Sequence, residues 1–135
     1  MGETGGCHCG AIRYTITDGA EPVYHAMCHC SDCRRATGAP AVTWALFDQG
    51  AVAIDGQPSR YASSELGERQ FCGQCGTSLF YLNAQIFLGK IDIQSATLDN
   101  PEAYPLGAQV QTAERLGYME HLSDIAGFER YPGME

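Results

Sequence analysis

Hydrophobic and polar residues alternate along this chain in short runs, each bounded by Gly, Pro, Asn or Asp, the texture of a β-rich protein. Residues 11–17 (AIRYTIT) alternate as a strand with one face toward a core. Residues 23–27 form a second candidate strand. Residues 41–47 (AVTWALF) are almost wholly apolar and rich in β-formers, which predicts a central strand. Residues 51–55 and 59–62 flank Gly56-Gln57-Pro58, which reads as a turn. Residues 69–71, 78–82 and 86–93 complete the candidate strands. Two short helices are predicted, at 32–37 and at 101–104, the latter with Asn100 as N-cap. The tail at 114–125 also has helical character, weakened by Gly117. The expectation is a mainly β fold with one or two short helices, in one domain spanning residues 1–135. Trp44, Phe47, Phe80 and Tyr81 read as core, and His8, His29 and His121 as surface residues.

Charge narrows the function. With 8 basic and 16 acidic residues the formal net charge is −8, a poor basis for gripping phosphates, so no nucleic-acid partner is expected. The uncharged stretch from 36 to 47 is too short and polar to span a bilayer, so no membrane partner is expected either. The first six residues hold neither a basic region nor an apolar run, so no signal peptide is expected, and the cytoplasm is the expected location.

The seven cysteines decide the chemistry. They fall into three clusters: Cys7-His8-Cys9, Cys28-His29-Cys30-Ser31-Asp32-Cys33, and Cys72-Gly73-Gln74-Cys75. In a reducing compartment such spacing reads as metal ligation rather than disulfide bonding. In C-x-C on an extended segment both sulfurs share a face, and C-x-x-C followed by Gly forms a tight knuckle. Pairing Cys7 and Cys9 with Cys72 and Cys75 makes a closed four-sulfur zinc site, structural in character. Cys28, Cys30 and Cys33 remain as a three-sulfur site whose fourth position is open to a substrate; the alternative is that His25, His29 or Asp32 closes it. Two Zn²⁺ per chain follow, which would bring the net charge to roughly −11. Cys30 is placed at a helix start, with Cys33 one turn on. Arg34 and Arg35, next in sequence, are the candidate contacts for an anionic substrate.

Residues 6–14 (GCHCGAIRY), 28–40 (CHCSDCRRATGAP) and 71–80 (FCGQCGTSLF) together resemble the glutathione-dependent formaldehyde-activating enzyme family, which also includes centromere-protein-V-like proteins. The resemblance runs from about residue 6 to 99. It implies a β-tent fold, small antiparallel sheets packed around zinc. It also implies the same division of ligands, Cys7, Cys9, Cys72 and Cys75 for structural zinc and Cys28, Cys30 and Cys33 for zinc with an open position. Many family members carry a His before a hydrophobic strand in the tail and a Trp further on; here Gln109 and Tyr118 or Met119 stand in those places.

The expected activity is that of a zinc-dependent carbon–sulfur lyase: a thiol such as glutathione, activated at the open site, adds to a small aldehyde such as formaldehyde to form an S-hydroxymethyl thiol. A non-catalytic zinc module for a protein or small-molecule partner is the alternative. A thiol-redox enzyme fits worse, because every cysteine already belongs to a zinc cluster.

Overall fold

A computed structural model describes residues 2–134. Among the described residues, ten strands and one α-helix, with short 3₁₀ turns, build a mainly β molecule of the β-tent type. A three-stranded antiparallel sheet joins β1 (Thr4–Gly6), β2 (Arg13–Ile16) and β5 (Val52–Asp55) in that order. A seven-stranded sheet joins β3 (Tyr24–Cys28), β4 (Val42–Asp48), β6 (Ser59–Ala62), β7 (Gly67–Phe71), β8 (Ser78–Asn83), β9 (Lys90–Gln94) and β10 (Ala108–Val110). Its order is β10-β3-β4-β9-β8-β7-β6. Every pairing is antiparallel except that of β10 with β3.

Alternation gives the large sheet two different faces. Ala45, Ile93 and Phe80 are cross-strand partners, as are Phe47 and Ile91. All are buried in the main core with Ile12, Tyr14 and Ile16 from the small sheet and its lead-in. The opposite face carries the register row Tyr24–Leu46–Asp92–Tyr81–Arg69 and, one step along, Ala26–Trp44–Gln94. This second face holds the site. Helix α1 (Ser31–Thr37) follows β3 directly. The backbone N–H of Cys33 donates to the Cys30 sulfur at 3.3 Å, capping its start, and Gly38 N–H donates to the Arg34 carbonyl at 2.7 Å, closing its end.

Residues 41–47 do form a central strand, and the helix predicted at 32–37 is α1. Other expectations need correction. The run at 86–93 yields strand only from Lys90, because the Asn83 side chain accepts from the N–H groups of Gln85 (2.9 Å) and Ile86 (3.2 Å) and folds a turn there. Asn100 does the same to Glu102 N–H at 3.2 Å, so residues 101–104 form a turn rather than a helix. The tail at 114–125 makes only short 3₁₀ turns. Gly56-Gln57-Pro58 joins strands that enter different sheets. Strands β1 and β10 lay outside the sequence expectation, since neither has an alternating apolar pattern of its own.

Candidate metal centre and cavity

The first cysteine set sits where the two sheets meet. Cys7 N–H donates to the Ile12 carbonyl at 3.0 Å and Gly10 N–H to the Cys7 carbonyl at 3.1 Å, which curls residues 7–12 into a knuckle. Cys72 N–H to the Thr77 carbonyl (2.9 Å) and Gly76 N–H to the Cys72 carbonyl (2.8 Å) make its counterpart. Gly10 and Gly76, at φ 82° and 83°, take the left-handed backbone that both knuckles need. The sulfurs of Cys7, Cys9, Cys72 and Cys75 all lie within 4.8 Å of one another. Cys7–Cys9 and Cys9–Cys72 are each 3.7 Å apart. Zn–S bonds of about 2.3 Å in a tetrahedron require edges of about 3.8 Å, so this donor set fits zinc. The Thr77 hydroxyl, 3.2 Å from the Cys75 sulfur, together with backbone N–H groups, draws the Cys75 thiol down to about 5, toward the thiolate that a metal needs.

Cys28 ends β3, Cys30 caps α1 and Cys33 lies in the first turn of α1. Their three sulfurs also converge within 4.8 Å, a donor set that fits zinc with one tetrahedral position to spare. None of the three residues weighed as a fourth ligand joins them. His25 is turned to Ser95 (Nε2–Oγ 2.7 Å) and to the Pro105 carbonyl (Nδ1–O 3.2 Å). His29, expected at the surface, is 1% exposed, and its Nε2 donates to Gln109 Oε1 at 2.8 Å. Strand geometry stops at Cys28, and β10 pulls the next residue inward through the His29 N–H to Val110 carbonyl bond at 3.1 Å. Asp32 accepts from Arg69 Nη2 at 2.6 Å. His8 and His121 are exposed, as expected.

The three cysteines line a cavity of roughly 200 Å³. Its walls include four aromatic rings, from Tyr24, Trp44, Tyr81 and Phe87. Trp44, Phe47 and Phe80 are core, as expected, and Tyr81 packs partly buried against Trp44; Trp44 and Tyr81 also form walls of the cavity.

Two charged residues of the sheet face complete the cavity. Arg69 has a side chain only 7% exposed, against 67% for its partner Asp32. Its Nη2 reaches the Cys33 sulfur at 3.6 Å, and its guanidinium stacks over Tyr81 at 5.1 Å from the ring centre. Sharing of the proton with the Cys28 sulfur, followed by the Arg69 cation, lowers the Cys33 thiol to about 5. Asp92 is 3% exposed and accepts from the Tyr24 hydroxyl at 2.9 Å. Arg34 and Arg35 do not line this cavity. They border a separate hollow with Pro40, Leu116 and Tyr118, and Arg34 Nη1 donates to the Glu114 carbonyl at 3.4 Å. Arg69 and Asp92 escaped the sequence reading. For Asp92 a signal existed, a carboxyl group set between Ile91 and Ile93 in a short apolar strand.

The family model described as glutathione-dependent formaldehyde-activating enzyme matches residues 3–113. A Schizosaccharomyces pombe protein described as an uncharacterized lyase is 30% identical over 114 residues, which is 74% of this chain and 82% of the relative. A Halomonas elongata protein whose description names the same family is 30% identical over 84 residues, covering 56% of this chain and 53% of that protein, about half its length. A crystal structure of a Rhodobacter sphaeroides protein superposes with a TM-score of 0.59 at 22% identity, covering 79% of this chain and 99% of that one.

Proposed function

Since the chain belongs to the glutathione-dependent formaldehyde-activating enzyme family, we propose that it is a zinc-dependent carbon–sulfur lyase. It adds a thiol such as glutathione to a small aldehyde such as formaldehyde, giving the S-hydroxymethyl thiol. In this reading residues 1–135 act as one domain, in the cytoplasm where thiols stay reduced. Cys7, Cys9, Cys72 and Cys75 hold a structural zinc. Cys28, Cys30 and Cys33 hold the second and leave one position for the substrate thiol. Zinc there lowers the pKa of a thiol ligand, so that a nucleophile exists at neutral pH.

The observation that carries the proposal is the contrast between the two sets: the fourfold one is complete, while the threefold one opens on a small, largely apolar cavity. The protein's own groups divide the remaining work. Arg69 sets its positive charge against the Cys33 sulfur, which favours the deprotonated ligand. Trp44, Tyr81 and Phe87 exclude bulk water from the aldehyde. Arg34 and Arg35, outside the cavity, are left to the charged end of a thiol longer than the cavity holds.

Metal content and turnover test this reading. Plasma mass spectrometry should give two zinc ions per chain. Exchange between ¹³C-formaldehyde and its glutathione adduct, followed by NMR, should be faster with the protein than without it. Cys30→Ser should abolish that acceleration while leaving the fold intact, since Ser caps a helix as well as any residue. Undiminished exchange in Cys30→Ser would sink the proposal. Two zinc ions with no thiol uptake would mark a non-catalytic zinc module instead.

A further inference from the structure

Holding and ionising a thiol employs the cysteines and Arg69, and leaves a buried carboxyl group in the same cavity without a task. Asp92 stands in the middle of β9, on the sheet face that bears the site, with Leu46 and Tyr81 as its cross-strand neighbours. One carboxyl oxygen accepts from the Tyr24 hydroxyl at 2.9 Å, and the other has no hydrogen-bond partner among the described residues. An unpaired carboxyl oxygen at 3% residue exposure is costly, and a purely structural hydrogen bond to Tyr24 does not call for it. The same carboxyl group lines the cavity that the three sulfurs open into. Buried polar groups left unpaired beside a binding cavity are the groups a ligand completes.

We propose that Asp92 is a catalytic residue of this cavity: it hydrogen-bonds the oxygen on the carbon that joins the substrate sulfur and exchanges a proton with it, while Tyr24 positions the carboxyl group. In the forward step the sulfur lone pair forms the S–C bond, and the C=O π pair moves onto oxygen. The Asp92 O–H proton passes to that oxygen, making the hydroxyl of the adduct. The resulting carboxylate regains from water the proton that the thiol released on binding. In reverse, Asp92 carboxylate takes the hydroxyl proton as the C–S bond breaks. The assignment rests on the proposed function.

The surroundings suit the role. The titratable and charged groups that line the cavity with Asp92 are Tyr24 and Cys28 from β3, Cys30 at the cap of α1, Asp32 and Cys33 from α1, Arg69 from β7 and Tyr81 from β8, while β4 contributes Trp44 to the cavity and Leu46 as a cross-strand neighbour. Burial raises the Asp92 carboxyl to about 7, the Tyr24 bond opposing and negative charge on Cys33 adding to the rise. Burial thus favours the protonated form, the one that donates a proton to the oxygen of the adduct.

The test compares zinc-loaded wild type, Asp92→Asn, Asp92→Ala and Tyr24→Phe. By calorimetry, 2-mercaptoethanol, whose hydroxyl mimics that of the adduct, should bind about fivefold more tightly than ethanethiol, one hydrogen bond's worth. Asp92→Ala should erase that preference and leave ethanethiol affinity unchanged. Asp92→Asn keeps a donor but cannot pass a proton; its formaldehyde exchange rate should fall on the order of 100-fold with KM for the thiol unchanged. Tyr24→Phe removes the bond that lowers the carboxyl pKa, so the pH–rate profile should shift upward. A preserved hydroxyl preference in Asp92→Ala, or a wild-type rate in Asp92→Asn, would overturn the proposal. Absence of formaldehyde exchange in the wild type, with the preference lost in Asp92→Ala, would remove the lyase reading while upholding Asp92 as the oxygen's partner.

Discussion

At the scale of single residues, the two charged groups of the cavity face have opposite consequences. Arg69 is a buried cation whose partners are an exposed carboxylate and a ligand sulfur. Arg69→Met keeps the stem and removes the charge. Loss of an outer-sphere partner typically weakens metal binding about 10- to 100-fold. Competition with a chromophoric chelator should show that loss at the three-cysteine site and none at the four-cysteine site; equal losses would mean general disruption. Asp92 acts on stability. Its folded carboxyl lies at about 7, above the ordinary 3.8. A raised folded pKa means that this contribution is fully present below about pH 4 and lost as pH rises through about 7. Asp92→Asn does not titrate, so its stability relative to wild type should improve between pH 4 and 8, by ~4 kcal/mol at most. Urea denaturation at pH 5 and pH 8 measures this; a pH-independent difference would contradict it. The cysteine clusters could be read from the sequence because the spacing within each is local. Arg34 and Arg35 could not be placed in the same way. They follow Cys33 by one and two residues, and at 3.6 residues per turn they point away from the face that Cys33 turns inward.

Elements set which residues can meet. Strand β1 is short and glycine-bearing, without the pattern that marks β2 or β4, yet it is fixed in register Thr4–Thr15, Gly5–Tyr14, Gly6–Arg13. A Cβ on Gly5 would come within 2.3 Å of the Tyr14 hydroxyl oxygen and 2.7 Å of the Thr97 carbonyl oxygen. Gly5→Ala should therefore cost about 1–3 kcal/mol in urea denaturation, as overpacking does; a neutral result would mean that β1 yields freely. The short strand is also held from outside. Arg13 pairs with Asp99, and Thr4 donates to the same carboxylate at 2.5 Å. This is why it was illegible in sequence: its stability comes from residues more than 80 positions away, not from its own composition. Strand β10 is the same case, an exposed three-residue segment that exists through its parallel pairing with β3. Long, patterned β4 was legible for the opposite reason.

For the molecule as a whole, the four-cysteine set joins the small sheet to the large one, since its knuckles precede β2 and follow β7. The three-cysteine set joins only β3 to the helix beside it. Loss of a ligand from the two cysteine sets should therefore have different effects. Cys72→Ser should abolish cooperative folding, seen by circular dichroism and hydrogen exchange, whereas Cys30→Ser should retain it. Similar unfolding of both variants would refute this division. The fold class and the gathering of the cysteines into two groups were legible because clustered cysteines repeat a small vocabulary of spacings. The cavity face was not, because it depends on the register of five strands, which no local pattern specifies.

The same stapling of distant knuckles has a consequence during synthesis. Cys9 and Cys72 are 63 residues apart. At about 5–20 residues per second on the ribosome, the first knuckle leaves the exit tunnel roughly 3–13 s before its partner does. Throughout that interval Cys7 and Cys9 are unshielded thiols on a nascent chain. An oxidant met in that interval can modify these two sulfurs before the set to which they belong has assembled.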